Sequence, residues 1–62
     1  MKVKFCPPPD SPLHKFAGVI GDVIYGSLTR DRLSFLFEVS TSRGEHTAQI
    51  SAEWAHVEIV MI

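Results

Sequence analysis

The sequence predicts an all-β fold: a small five-stranded antiparallel meander forming a partly open barrel, with one short helical turn near residues 12–17. Leu33, Phe35, Phe37 and Val39 alternate with Ser34, Leu36, Glu38 and Ser40. A period of two sorts these residues onto opposite faces of one strand. Ala48, Ile50 and Ala52 alternate with Thr47, Gln49 and Ser51 in the same way. Glycine, proline and serine fall between the apolar runs, where tight turns require them.

The first element is a short strand over residues 1–5, with Val3 and Phe5 facing one way and Lys2 and Lys4 the other. Pro7, Pro8 and Pro9 end it, because proline donates nothing to a ladder and favours an extended conformation. Residues 1–12 are therefore expected as a stiff extended arm laid against the body or against a partner subunit. Ser11, Pro12 and Gly18 punctuate a helical turn: Ser11 caps it, Pro12 opens it and Gly18 takes the left-handed conformation after it. Leu13, Phe16 and Ala17 then share one face, which is expected to plug the open end of the sheet.

Residues 19–28 read as the second strand, with a blurred alternation and an expected bend or bulge at Gly21 or Gly26. Residues 29–32 make a polar turn into the Leu33 strand, and Gly44 is the positive-φ residue expected in the hairpin that follows. The small Ala48 and Ala52 leave room for Phe35 and Phe37. After a tight turn at residues 53–55, Val57, Ile59 and Met61 alternate with Glu58, Val60 and Ile62 in a last strand, expected to form a hairpin with the one before it. The whole is one domain, residues 1–62.

The strand layout and the segment Ile50-Ser51-Ala52-Glu53-Trp54-Ala55-His56-Val57-Glu58-Ile59 resemble the small barrels of the SH3-like class, in which a short turn before the last strand closes the fold. The resemblance implies an open barrel and carries no family's functional residues onto this chain.

So short a chain has little margin. Folding buries roughly 6,000 Å², about 60% of it apolar, worth on the order of 90 kcal/mol. Ordering the chain costs about as much at ~1.5 kcal/mol per residue. The single cysteine, Cys6, makes no internal disulfide and supplies no second thiol for zinc. Self-association remains, and it suits a chain that is 45% hydrophobic with a mean hydropathy of +0.12. A homo-oligomer is the expectation.

A net charge of −1 and a pI near 6.2 argue against a general polyanion binder, so nucleic acid is a disfavoured partner. No window reaches the ~20 apolar residues of a membrane helix. The opening residues hold three prolines and no apolar run, unlike a signal peptide, and a cytoplasmic, reducing compartment is expected.

No motif for catalysis, metal or nucleotide stands out. Of the three histidines, His46 and His56 begin successive strands and are expected roughly 20 Å apart, and His14 can meet one of them but not both. Zinc needs three or four converging ligands. Glu45 and His46 point to opposite faces, Gly18, Gly21 and Gly26 lack a phosphate-binding spacing, and Cys6 reads as a half-buried inert thiol. Neither a metal site nor a cofactor is expected.

The informative residues are apolar ones on polar faces. Leu36, Val60 and Ile62, with Ile20, Ile24 and Leu28, are candidates for a second apolar surface, and such patches mark interfaces. Trp54, the one tryptophan, Tyr25, Arg30 and Arg32 complete the candidate binding residues, since aromatic and arginine side chains dominate binding hot spots. The sequence thus predicts a non-catalytic interaction module acting as a homo-oligomer, with a protein or small molecule as a further partner. A small oligomeric enzyme or ligand-binding protein with its site at a subunit boundary is the alternative. A single-stranded nucleic-acid binder stacking bases on Tyr25 and Trp54 is the third reading.

Overall fold

A computed structural model describes residues 1–62. Strands β1 (Lys2–Phe5), β2 (Ile20–Val23), β3 (Arg32–Thr41), β4 (Gly44–Glu53) and β5 (Val57–Met61) form one antiparallel sheet in the order β4-β3-β2-β1-β5. The sheet does not close into a barrel, and β4 and β5 are its two edges. The helical structure is limited to 3-10 turns at His14–Phe16, Tyr25–Ser27 and Trp54–His56.

The alternating runs become the longest strands. β3 and β4 pair over ten residues; Phe37 faces Ala48 as expected, but Phe35 faces Ile50, and Ala52 stands opposite Leu33 instead. Gly44, at φ +113°, lets the chain reverse between them, and the Thr41 hydroxyl donates to the Gly44 carbonyl at 3.0 Å. The loop before β2 follows its punctuation in part: the turn spans only His14–Phe16, so Pro12 lies outside it and Leu13, not Ser11, holds the cap position. Ser11 Oγ accepts from the Leu13 N–H at 3.1 Å, a 3-10 turn follows, and Gly18 sits at φ +88°. Phe16 packs against Phe37 with ring centroids 5.5 Å apart and covers the sheet, whereas Leu13 and Ala17, expected on the same covering face, are exposed.

Two expectations change. The second strand does not run through residues 19–28: it stops at Val23 and gives way to the 3-10 turn Tyr25–Ser27. Ser27 explains the break. Its hydroxyl donates to the Ile24 carbonyl and accepts from the Ser34 N–H at 2.9 Å, tying the turn to β3 beside the last backbone bond, from the Ile24 N–H to the Ser34 carbonyl at 3.0 Å. Gly21 makes no bulge either; it stays in register opposite Val3, and its role is close approach. A Cβ there would lie 2.6 Å from both the Leu36 carbonyl oxygen and the Phe35 ring.

The second change concerns β5. It forms no hairpin with β4; the turn at Trp54–His56 carries the chain across, and β5 pairs with β1. The lone register shift falls there, since Val3 faces Ile59 and Lys2 faces Met61, leaving Val60 as the extra residue of a bulge. β1 is consequently an interior strand, and Pro7 beyond it is buried, so the proline segment is laid into the body.

The core is Val3, Phe5, Val23, Leu33, Phe35, Phe37, Ile50 and Ala52. Phe5, Phe35 and Phe37 stack in sequence at centroid distances of 5.6 and 6.0 Å. Met1, Phe16, Val19, Val39, Ala48, Trp54 and Val57 pack around its rim.

Candidate functional site

The candidate residues fall on three separate surfaces. Arg30, Arg32 and Trp54 come together at one end of the sheet, around the turn into β3 and the turn out of β4. Thr29 organises the first of these turns: its hydroxyl accepts from the Arg32 N–H at 3.0 Å. The Trp54 N–H donates to the Asp31 carbonyl at 3.2 Å, and the indole Nε1–H donates to the Thr29 carbonyl at 2.9 Å. Trp54 is half-buried against the core, so its ring locks the two turns together while one side borders a depression of about 490 Å³ lined by Arg30, Asp31, Arg32 and Glu53.

Arg32 and Glu53 also border a smaller hollow of about 210 Å³ floored by Phe5 and Ala52. Arg32 donates to the Ser51 carbonyl at 3.2 Å and lies 4.0 Å from Glu53. Glu53 in turn stands 3.7 Å from His56 Nε2. The sequence analysis weighed His56 only against the other histidines and missed its approach to Glu53, because the turn at residues 54–56, not a shared strand face, brings the two together.

Leu36 lies on the outer face of the sheet, away from the core. Its neighbour there is Ile20, 53% exposed against 38% for Leu36. Both line a depression whose border is polar. Lys2 and Asp22 form an ion pair at 3.5 Å, and the Thr47 hydroxyl donates to Glu38 at 3.0 Å. An apolar centre inside a polar rim is the composition of a protein interface.

Val60 and Ile62 lie at the β5 edge, 45% and 99% exposed. They do not join Leu36 and Ile20 in one apolar surface. β1 stands between β5 and β2, and its outward residues there are Lys2 and Lys4. Ile24 is half-buried and Leu28 sits in the loop before β3. Tyr25 is also apart from Trp54: its hydroxyl accepts from the Met1 ammonium at 3.0 Å, beside the start of β1.

Cys6 is exposed rather than half-buried, because it follows Phe5 on the outward side of the strand; its Sγ lies 3.7 Å from the Lys4 carbonyl. No three His, Cys, Asp or Glu side chains are grouped so that they could hold a metal ion. No helix is long and apolar enough to cross a membrane. No protein-family model, curated protein or solved structure matches the chain.

Proposed function

We propose that this chain is a non-catalytic, SH3-like interaction module that works as a homo-oligomer in the cytoplasm. The observation that carries the reading is the balance of apolar side chains. Eight hydrophobic residues make the core, while nine large ones are exposed: Leu13, Ile20, Tyr25, Leu28, Leu36, Ile59, Val60, Met61 and Ile62. A protein with more large apolar groups outside than within gains by covering them, and a second copy is the partner always at hand.

The connection order supports the SH3-like assignment. A long loop joins β1 to β2, a hairpin joins β3 to β4, and a 3-10 turn returns β5 to β1. The exposed, unpaired Cys6 suits a reducing compartment. Light scattering behind gel filtration tests the central statement. A mass at least twice 6.9 kDa at micromolar concentration is expected, and a stable monomer at that mass overturns it.

A further inference from the structure

We infer that β5 is an assembly edge: it pairs antiparallel with β5 of a second copy about a twofold axis at Ile59, joining two five-stranded sheets into one. The inference rests on the homo-oligomer reading and names the contact that reading leaves open. Four of the nine exposed large hydrophobics, Ile59, Val60, Met61 and Ile62, are consecutive here. Glu58 is the only charged side chain among residues 57–62, and that stretch has none of the lysines or prolines that guard open edges. The other open edge, β4, is guarded: it exposes Glu45, Thr47, Gln49, Ser51 and Glu53.

The edge also has backbone groups to offer. In an antiparallel ladder each residue turns its N–H and C=O to the same side, and successive residues alternate. The Cys6 N–H donates to the His56 carbonyl at 2.7 Å, and Lys4 stands opposite Glu58, so His56 and Glu58 face β1 with these groups. Phe5, opposite Val57, turns its own groups the other way. Its N–H donates to the Val19 carbonyl at 2.8 Å, and its carbonyl accepts from the Gly18 N–H at 2.7 Å. Val57 and Ile59 therefore point their N–H and C=O groups away from β1, at the open edge. Met61 stands opposite Lys2, so the bulge at Val60 makes Ile62 the next residue to turn outward.

One register suits a second copy. With Ile59 on the axis, the two Ile59 residues exchange two hydrogen bonds, and Glu58 of each copy faces Val60 of the other. The bulge fits Val60 and Met61 into one position and brings Ile62 level with Val57 for the next bonds. Val57 and Ile59 share the face of Phe5 and Val3, so the apolar contact between copies continues the core side of the sheet. Glu58 keeps Lys4 beside it in its own chain.

The other registers fail. With Glu58 on the axis, two carboxylates stand directly opposite, about 4.5 Å apart at Cα. With Val57 there, Ile59 faces Ala55, inside the turn Trp54–His56. With Val60 there, Ile59 faces Met61, whose groups face Lys2. An axis between two residues sets outward groups against inward ones.

Disulfide trapping reads the register in a Cys6→Ser background. Ile59→Cys puts two cysteines about 5.5 Å apart at Cα, within disulfide reach. Glu58→Cys leaves its pair roughly 8 Å apart, beyond reach, and Leu36→Cys lies three strands from the edge. Ile59→Cys is expected to cross-link at least about tenfold faster than either. As a second measurement, Ile59→Pro removes an outward N–H and no bond to β1, and is expected to weaken self-association by at least about tenfold in sedimentation equilibrium. Ile59→Val keeps the N–H and is expected to stay within about threefold of wild type. Circular dichroism reads the fold of each variant.

A monomeric wild-type chain overturns both this inference and the homo-oligomer reading. An oligomer in which Glu58→Cys or Leu36→Cys cross-links as fast as Ile59→Cys overturns this inference alone. So does a folded Ile59→Pro that associates as the wild type does; if that variant does not fold, the cross-linking decides.

Discussion

At Gly21 the backbones of β2 and β3 approach so closely that hydrogen is the only side chain with room. Adding a methyl group forces the Leu36 carbonyl and the Phe35 ring apart, and the carbonyl is held in the β3 ladder. Gly21→Ala is expected to destabilise the fold by about 2–3 kcal/mol, the range of an overpacked core. For a domain of this size that lowers the melting temperature by about 10 °C or more in a thermal scan followed by circular dichroism. Gly44 is constrained differently: nothing lies near its missing Cβ, but its φ of +113° is one that side chains resist. Gly44→Ala is expected to cost about 1 kcal/mol, through backbone strain alone. If the two variants melt together, close packing at Gly21 is not what the fold depends on. Ser27 is the third such residue. Ser27→Ala leaves the Ser34 N–H, on a buried residue, without its acceptor, at an expected cost of about 1–3 kcal/mol in chemical denaturation.

Among the elements, β3 and β4 were legible in the sequence because Leu33, Phe35 and Phe37, and Ile50 and Ala52, turn one face to the core, which writes a period of two into them; Ser34, buried beneath the Ser27 turn, is the exception on the opposite face. Phe35 is the centre of that pattern, in contact with both neighbouring phenylalanine rings. Phe35→Ala is expected to cost about 3–5 kcal/mol, enough to leave much of the protein unfolded at 25 °C in a urea titration. The helical turn in the first loop was legible for another reason. Ser11 and Gly18 have conformational roles that few other residues fill.

β2 was overextended because Ile24, Tyr25 and Leu28 have strand-forming side chains, and propensity gives way when a serine hydroxyl offers the backbone other partners. The partner of β5 was not written in its alternation, which fixes the face of a strand and says nothing of its neighbour. For the same reason the candidate residues scattered. Leu36 and Val60 have equivalent patterns, yet two strands stand between them, one of them presenting lysines. Arg30, Arg32 and Trp54 did gather, since each lies next to a turn at the same end of the sheet.

For the molecule as a whole, the proposed homo-oligomer requires that a second copy cover one of the exposed apolar groups. Val60→Glu places a carboxylate opposite Glu58 of the other copy and is expected to shift the oligomer to 6.9 kDa while the monomer keeps its β-sheet spectrum. Leu36→Glu, inside the outer-face depression, is expected to leave the mass unchanged. The reverse result moves the interface to the outer face. One topological feature bears on how the molecule is made. The interior strand β1 is made before the other four strands of the sheet, yet one of its two neighbours, β5, is made after all of them. Until residues 57–61 clear the exit tunnel, Val3 and Phe5 lack one of the walls that enclose them. The sheet is therefore completed only once β5 has been made, and a chain stalled before Val57 leaves one edge of β1 unpaired.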